Sequence, residues 1–262
     1  MNRFILVFVT IVVLTLSTSF QTSTVNPIIN PLPTFLDSEE LKYSLHYGFI
    51  TGGAAIISLK QESLNGSTVF HAAVKANTTG LVDKLFKVLD IYESYFDPNS
   101  NLPVKTIRNI HEGNYKQYNE VWFDHDKNTV KSQLTGEHKV PEKILDMVSS
   151  LYYIRRIDFT NFKKNDIVAV NTYFGDEVFP FYIVFKGREV LDTDLGKIKC
   201  IKFVPVVEPG RIFKNKDDMT FWLSDDDNKI PMRIKFDMVV GSFKCDLVSL
   251  KNQKFPLTSK IK

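Results

Sequence analysis

Along much of this chain, apolar and polar residues take turns. Leu41, Tyr43, Leu45, Tyr47 and Phe49 alternate with Lys42, Ser44 and His46, the period-2 pattern of a half-buried strand. Ala54 to Gln61 reads as a second strand and Thr68 to Asn77 as a third, with Asn65-Gly66 between them as a tight hairpin signal. The pattern then predicts strands over 91–97, 102–111, 115–124 and 129–137, and later over 166–174, 178–186, 197–207, 219–224, 229–240 and 242–250. Turn residues punctuate them, among them Asp97-Pro98-Asn99, Glu112-Gly113-Asn114 and Asp225 to Asn228. Strands joined by such short turns pair antiparallel.

Two segments change period. Thr79 to Leu89 sets Leu81, Leu85 and Val88 at helical spacing. Glu142 to Ile157 follows Pro141 and carries Ile144, Leu145, Val148, Leu151, Tyr152 and Arg155 on one stripe. One strand is apolar on both faces, Val178-Phe-Pro-Phe-Tyr-Ile-Val-Phe185, so it needs cover on both sides. About a dozen strands cannot stay flat and open. The expected fold is mainly β: a strongly curved antiparallel sheet or incomplete β-barrel of about a dozen strands with two short helices.

The N-terminus has its own logic. Arg3 precedes an apolar run from Phe4 to Leu16, and Ser17 and Ser19 take the −3 and −1 places of a cleavage site after Ser19. The run is shorter than the ~20 residues of a spanning helix, so residues 1–19 read as a signal peptide, with no transmembrane segment expected in the mature chain. The expected location is periplasmic or extracellular. Residues 20–36, with Pro27, Pro31 and Pro33 and no periodicity, read as a flexible linker. A single β-rich domain over 37–254 and a tail over 255–262 complete the division.

Composition narrows the function classes. With 44% hydrophobic and 13% aromatic residues the chain can bury a sizeable core without metal or dense disulfides. The net charge of +3 is spread out, giving no footprint for nucleic acid. The two cysteines, Cys200 and Cys245, lie in predicted strands as small apolar residues, and a disulfide between them stays open. No nucleophile elbow, zinc-protease helix, phosphate loop or Cys-x-x-Cys pair is present, so the reading leans away from an enzyme. His111-Glu112 and Asp124-His125-Asp126 sit at strand ends as solvated charges; no metal and no cofactor are expected.

The aromatic strands leave one candidate for ligand chemistry: an apolar cavity in the curved sheet, lined by Tyr92, Tyr95, Trp122, Phe181, Tyr182 and Trp222. Arg155, a charge on an apolar stripe, is the candidate anchor for a carboxylate or phosphate head group.

Several short motifs recur in a distinctive order: Leu41-Lys42-Tyr43 with Tyr47-Gly48 and Gly53, Tyr92-Glu-Ser-Tyr-Phe-Asp97 followed by Leu102-Pro103, Leu151-Tyr-Tyr-Ile-Arg155, Gly187-Arg-Glu189, and Phe221-Trp-Leu-Ser-Asp-Asp226 with Ile230-Pro231. In these the chain resembles the exported bacterial family known as domain of unknown function 3108. The resemblance implies a β-rich envelope protein and assigns no residue a role. The expected function is non-enzymatic binding of an apolar or lipid-like ligand in the cell envelope. The alternative is a structural or assembly factor acting on a protein partner through the sheet edge, and a hydrolase with a dispersed site comes third.

Overall fold

The computed structural model describes residues 24–206, 219–237 and 241–261. The expected signal peptide and its cleavage after Ser19 lie outside the described residues. Fifteen strands are described: β1 (Glu40–Tyr47), β2 (Ile50–Leu64), β3 (Ser67–Thr78), β4 (Val88–Phe96), β5 (Pro103–Glu112), β6 (Tyr115–Asp124), β7 (Thr129–Ser132), β8 (Gly136–Lys139), β9 (Leu145–Asp146), β10 (Ile167–Phe174), β11 (Glu177–Thr193), β12 (Gly196–Pro205), β13 (Met219–Ser224), β14 (Pro231–Asp237) and β15 (Ser242–Lys251). Two short helices, α1 (Gly80–Leu85) and α2 (Met147–Arg155), accompany them. This is the mainly β, curved antiparallel architecture that the alternation predicts. The alternation marks thirteen strands, and the other two come from dividing 129–137 into β7 and β8 and from the two-residue β9.

The strand order is β8-β7-β6-β5-β4-β3-β2-β1-β15-β14-β13-β12-β11-β10-β9. The first and last strands pair with each other at the centre, and two wings run outward to free edges at β8 and β9. Every pairing is antiparallel except β9 with β10. This order forces closure. A flat sheet of this many strands would be roughly 65 Å wide at ~4.8 Å per strand. Yet the two edges are joined only by residues 140–144, a connection that reaches about 20 Å when fully extended. The sheet must therefore curl until its edges face each other. Bulges at Lys42/Tyr43, Tyr95/Phe96, Phe185/Gly187 and Trp222/Leu223 add local twist. Across the seam, Val121 and Val130 of one wing pack with Val140, Ile144 and Tyr173.

What fills the curl is the chain itself. Val148 and Tyr152 of α2 join a core with Leu41, Tyr43, Ile57, Phe70, Phe96 and Leu247. Ile154, with Ile157 and Phe159 beyond the helix, joins a second core with Val168, Ile183, Phe185, Phe203 and Phe221. The helix thus lies between the wings with apolar packing on opposite sides. It starts later than its sequence pattern suggests, because Leu145 and Asp146 are drawn into pairing with β10. Asp146 then caps it: its Oδ1 accepts from the backbone N–H of Val148 (2.7 Å) and Ser149 (2.9 Å), and the Ser149 Oγ accepts from the Asp146 N–H (3.0 Å).

Composition suggests a tether before residue 37, but residues 24–36 are laid along the body, and that expectation is corrected for them. Thr24 bridges Ile167 and Ile29 bridges Ile157. Arg156 donates to the carbonyls of Asn30 (3.0 Å) and Pro31 (2.8 Å). Phe35 is buried edge-on against Phe70, Phe96 and Tyr152. The tail is also docked, with Lys260 bridging Ile198 and Ser259 Oγ donating to Asp226 (2.6 Å). The Asn65-Gly66 hairpin forms as predicted, both residues having positive φ (52° and 82°). Among the described residues no helix is long and apolar enough to cross a membrane.

Candidate functional site

Arg155, the expected anchor, is sealed in the core. Its side chain is 0% exposed and that of its partner Glu39 is 1% exposed. The pairing is bidentate, with Nη1 to Oε1 at 2.6 Å and Nη2 to Oε2 at 2.8 Å, and Nε donates to the Asn228 carbonyl at 3.2 Å. The rings of Phe35 and Tyr152 each lie 5.3 Å from the guanidinium. Burial alone would depress this guanidinium, but Glu39 outweighs burial and holds its pKa above the ordinary value. All three nitrogens are bonded within a side chain closed to solvent, so Arg155 joins the N-terminal segment to α2 and is out of reach of a ligand.

The remaining candidates divide between the two faces of the sheet. Side chains three apart on a strand point opposite ways, and so do immediate neighbours. Tyr92 accordingly faces the concave side, while Tyr95 stacks on His71 (centroids 4.1 Å apart) beside Glu93 on the outer face. Trp122 is on that outer face as well, under the Lys105 ammonium at 4.9 Å. On β11, Phe181 packs against the second core whereas its neighbour Tyr182 is exposed. Trp222 is buried and donates its indole N–H to Glu189 at 2.7 Å. The seven residues are therefore not brought together. Nor is Val178 to Phe185 a ligand wall, since Ile183 and Phe185 are packed core.

A cleft does exist, and it contains one of the seven. It encloses about 550 Å³, counting the space open to solvent, between the β4–β6 wing, the start of α2 and the β10–β11 turn. Tyr92, Arg108, Gln117, Asn119, Tyr173 and Asp176 supply its polar lining, and Ile107, Val121, Met147, Val148 and Phe174 its apolar lining. Register explains the gathering. Tyr92 pairs with Arg108 and Arg108 with Asn119, so the three stand in one row on one face. Asn119 Nδ2 donates to Asp176 Oδ1 (3.1 Å) and to Ser132 Oγ (3.0 Å), fixing the far wall.

Arg108 is the unusual group. Its guanidinium lies 5.1 Å from the Phe174 ring, and its Nε is buried yet has no hydrogen-bond partner among the described residues. Carboxyl groups stand nearby, but they are held toward the neutral form. Burial raises Asp90, against the His111 backbone N–H that it accepts from (3.1 Å). Burial also raises Glu112, helped by Asp90, and Arg108 opposes both shifts. Asp146, at the cleft floor, is likewise raised by burial although Ser94 (2.5 Å) and the helix N–H groups donate to it. The Tyr92 phenol is pushed up by burial, with Arg108 pulling the other way.

No histidine or cysteine lines the cleft. The Thr106 hydroxyl is spent on the Glu93 carbonyl (2.7 Å). The Tyr173 hydroxyl donates to Asp176 Oδ1 at 3.4 Å. The two cysteines are free thiols elsewhere in the fold, both raised to about 12, chiefly by burial. Among the described residues no three His, Cys, Asp or Glu side chains are grouped to hold a metal ion. Arg108 escaped the sequence reading because Lys105, Thr106 and Asn109 around it are polar, and an arginine among them looks like a solvated strand residue. Counting parity from Tyr92 across the hairpin is the signal that would have found it.

The comparisons with known proteins bear on the fold. A crystal structure described as a β-barrel-like protein of domain of unknown function DUF1849 from Brucella abortus superposes with a TM-score of 0.56 at 10% identity, over 86% of this chain and 99% of that one. A Parabacteroides distasonis protein, provisionally described as a lipoprotein, gives a TM-score of 0.35 at 12% identity, covering 85% of this chain and 99% of that one. A Bacteroides fragilis protein, provisionally described as exported with a YmcC-like fold, gives 0.34 at 9% identity over 86% and 99%. Only the first is similar enough to carry an argument, and what it carries is the fold. No curated protein matches the chain. The family model described as protein of unknown function (DUF3108) matches residues 42–248, and with that span the chain belongs to the DUF3108 family.

Proposed function

We propose that this is a non-enzymatic binding protein of the cell envelope, and that it takes a lipid-like amphiphile by its anionic head at the Arg108 cleft. The observation that carries the reading is the guanidinium of Arg108: it faces a partly apolar cleft with one buried N–H unpaired. A buried donor without a partner is costly unless something else supplies the acceptor, and a phosphate or carboxylate oxygen would do so with charge assistance. The apolar side chains of the cleft would meet the first carbons behind the head. The interior of the curl is packed with Phe35 and with Val148 and Tyr152 of α2, so the acyl tail is assigned to the cleft mouth and not to the core. The export expected from the first nineteen residues supports an envelope location.

The rival reading, a partner added to a sheet edge, has less behind it. The β8 edge is four residues long and carries Glu137, His138 and Lys139, the short charged form that discourages strand addition.

The test is titration calorimetry with lysophosphatidic acid, lysophosphatidylcholine, a fatty acid and inorganic phosphate. The expected result is saturable binding of the anionic amphiphiles and a loss of at least about tenfold in Arg108→Gln. Equal binding by wild type and variant, or no binding by any of the four, overturns the assignment.

A further inference from the structure

Five large apolar side chains are presented to solvent at one end of the sheet. Phe49, at the tip of the β1–β2 turn, is 97% exposed, and Leu85 and Leu81 on α1 are 80% and 72% exposed. Ile50 and Phe86, at 51% and 41%, complete the group. Helical spacing puts Leu81 and Leu85 on one stripe, and the structure turns both outward.

These residues come from two connections that touch. The Thr79 N–H donates to the Gly52 carbonyl (3.0 Å), and a Cβ on Gly52 would fall 2.9 Å from a Val82 methyl, so α1 rests on the start of β2. The loop is also pinned from within. Thr78 Oγ1 donates to Asp83 (2.8 Å) and accepts from the Val88 N–H (2.9 Å), and the Gly113 N–H donates to the Lys87 carbonyl (2.8 Å). An ordered segment thus holds its apolar residues out in water. Asp83, the nearest acid, is occupied by Thr78. Lys84 stands between Leu81 and Leu85, and Lys87 follows Phe86; both are exposed.

We infer that this rim is a docking surface for an anionic lipid bilayer. Charge decides the occupant: exposed Lys84 and Lys87 stand beside these apolar side chains, and Asp83 is bonded to Thr78. Apolar side chains of this kind enter a fluid acyl layer, and lysines interleaved among them meet the phosphates at its surface. Following the antiparallel order from β1 to β10 places the β10–β11 turn, at the cleft, on the same end of the sheet. The inference does not depend on a ligand in that cleft.

The test is position-resolved. An environment-sensitive fluorophore is attached at Phe49→Cys and, separately, at Asn65→Cys in the β2–β3 turn of the opposite end; Cys200 is buried, and the half-buried Cys245 is replaced by Ala in both variants. Vesicles of phosphatidylcholine alone, or with about one third phosphatidylglycerol, are then added. The expected result is a blue shift and a several-fold rise in emission at position 49 with the anionic vesicles, and none at position 65. In sedimentation with the same vesicles, Phe49→Asp combined with Leu85→Asp should lower partition at least about tenfold. The same double variant should leave calorimetric binding of lysophosphatidic acid unchanged, which separates this surface from the cleft. Equal response at both positions, or equal partition onto phosphatidylcholine alone, overturns the inference. So does a dimer in the absence of vesicles that the double variant abolishes, since the face would then belong to a second copy.

Discussion

Two arginines point toward the inside of this curled sheet, and they differ in almost every respect that matters. Arg155 is sealed, paired twice with Glu39 and bonded to a carbonyl. Arg108 is half-buried at a cleft, lies over a phenylalanine ring, and leaves one N–H without a partner. The first has all its electrostatic needs met by the chain, so it is part of the structure. The second has not, and an unmet need at an open cleft is what a binding site looks like before its ligand arrives. Burial by itself does not identify a functional charge; unsatisfied burial at an accessible place does.

The largest effect should come from breaking the sealed pair. Arg155→Ala leaves the Glu39 carboxylate buried and alone, and the expected cost is ~3–5 kcal/mol in chemical denaturation. Replacing both partners, Arg155→Met with Glu39→Leu, should recover most of that loss, because neither charge then stays buried. A single variant that costs under about 1 kcal/mol would dissolve the contrast between the two arginines.

How much of this was legible from the sequence follows from the range of the interactions. The strands, the Asn65-Gly66 hairpin and the curvature rest on local alternation and turn chemistry, and these are written residue by residue. The Arg155 pair is not, because its partner lies far back in the chain beside β1, and helical spacing only says that residue 155 faces inward. The candidate aromatics show a different gap. Tyr92 with Tyr95, and Phe181 with Tyr182, occupy opposite strand faces by parity alone, so they could not have lined one cavity. That much was available without a structure. The cleft itself depends on which strands become neighbours across the seam, and no local pattern states it. The N-terminal segment failed for a related reason: prolines remove periodicity, but Phe35 and the carbonyls held by Arg156 still give it a place to dock.

A smaller effect is expected where the cleft and the helix share a residue. Asp146→Ala removes the N-cap acceptor of α2 and should cost about 1–2 kcal/mol. Asp146→Asn should cost markedly less, since an amide oxygen can still accept from Val148 and Ser149, and burial already favours the neutral form of this side chain. Thermal or urea unfolding of the two variants checks the order; equal losses would mean that the charge, not the cap, is what the helix needs.

On the outer face, His71 provides a charged group of intermediate standing. It lies between Glu93 (2.6 Å) and Glu62 (3.2 Å). Burial alone would lower its pKa, but the two carboxylates outweigh burial and raise it, while His71 lowers Glu93. A histidine raised on folding contributes stability that is fully present below the unfolded pKa of ~6.5 and is lost as pH climbs through the folded value. His71→Gln should therefore destabilise most near pH 5.5, and its gap from wild type should narrow toward pH 8.5. A gap that is flat across this range would show that the triad carries no proton-linked stability.

Arg108 should give the smallest stability effect and the opposite pH trend. Arg108→Met keeps most of the volume and removes a buried N–H that has no partner, so near pH 5 the expected change is within about 0.5 kcal/mol. The neighbours supply the trend. Asp90 and Glu112 are raised by burial, and Arg108 holds each of them down. A carboxyl group raised on folding binds protons as the chain folds, so its stability contribution is best at acid pH. That contribution falls as pH rises from the unfolded value of about 4 through the folded one. Without Arg108 both groups move further up, and the variant should lose more with each step in pH than wild type does. Urea denaturation at pH 5 and pH 8 reads this directly: the gap should widen for Arg108→Met while it narrows for His71→Gln. A loss at pH 5 as large as that of Arg155→Ala would make Arg108 a structural arginine like its counterpart, and the cleft would no longer have a charge to offer a ligand.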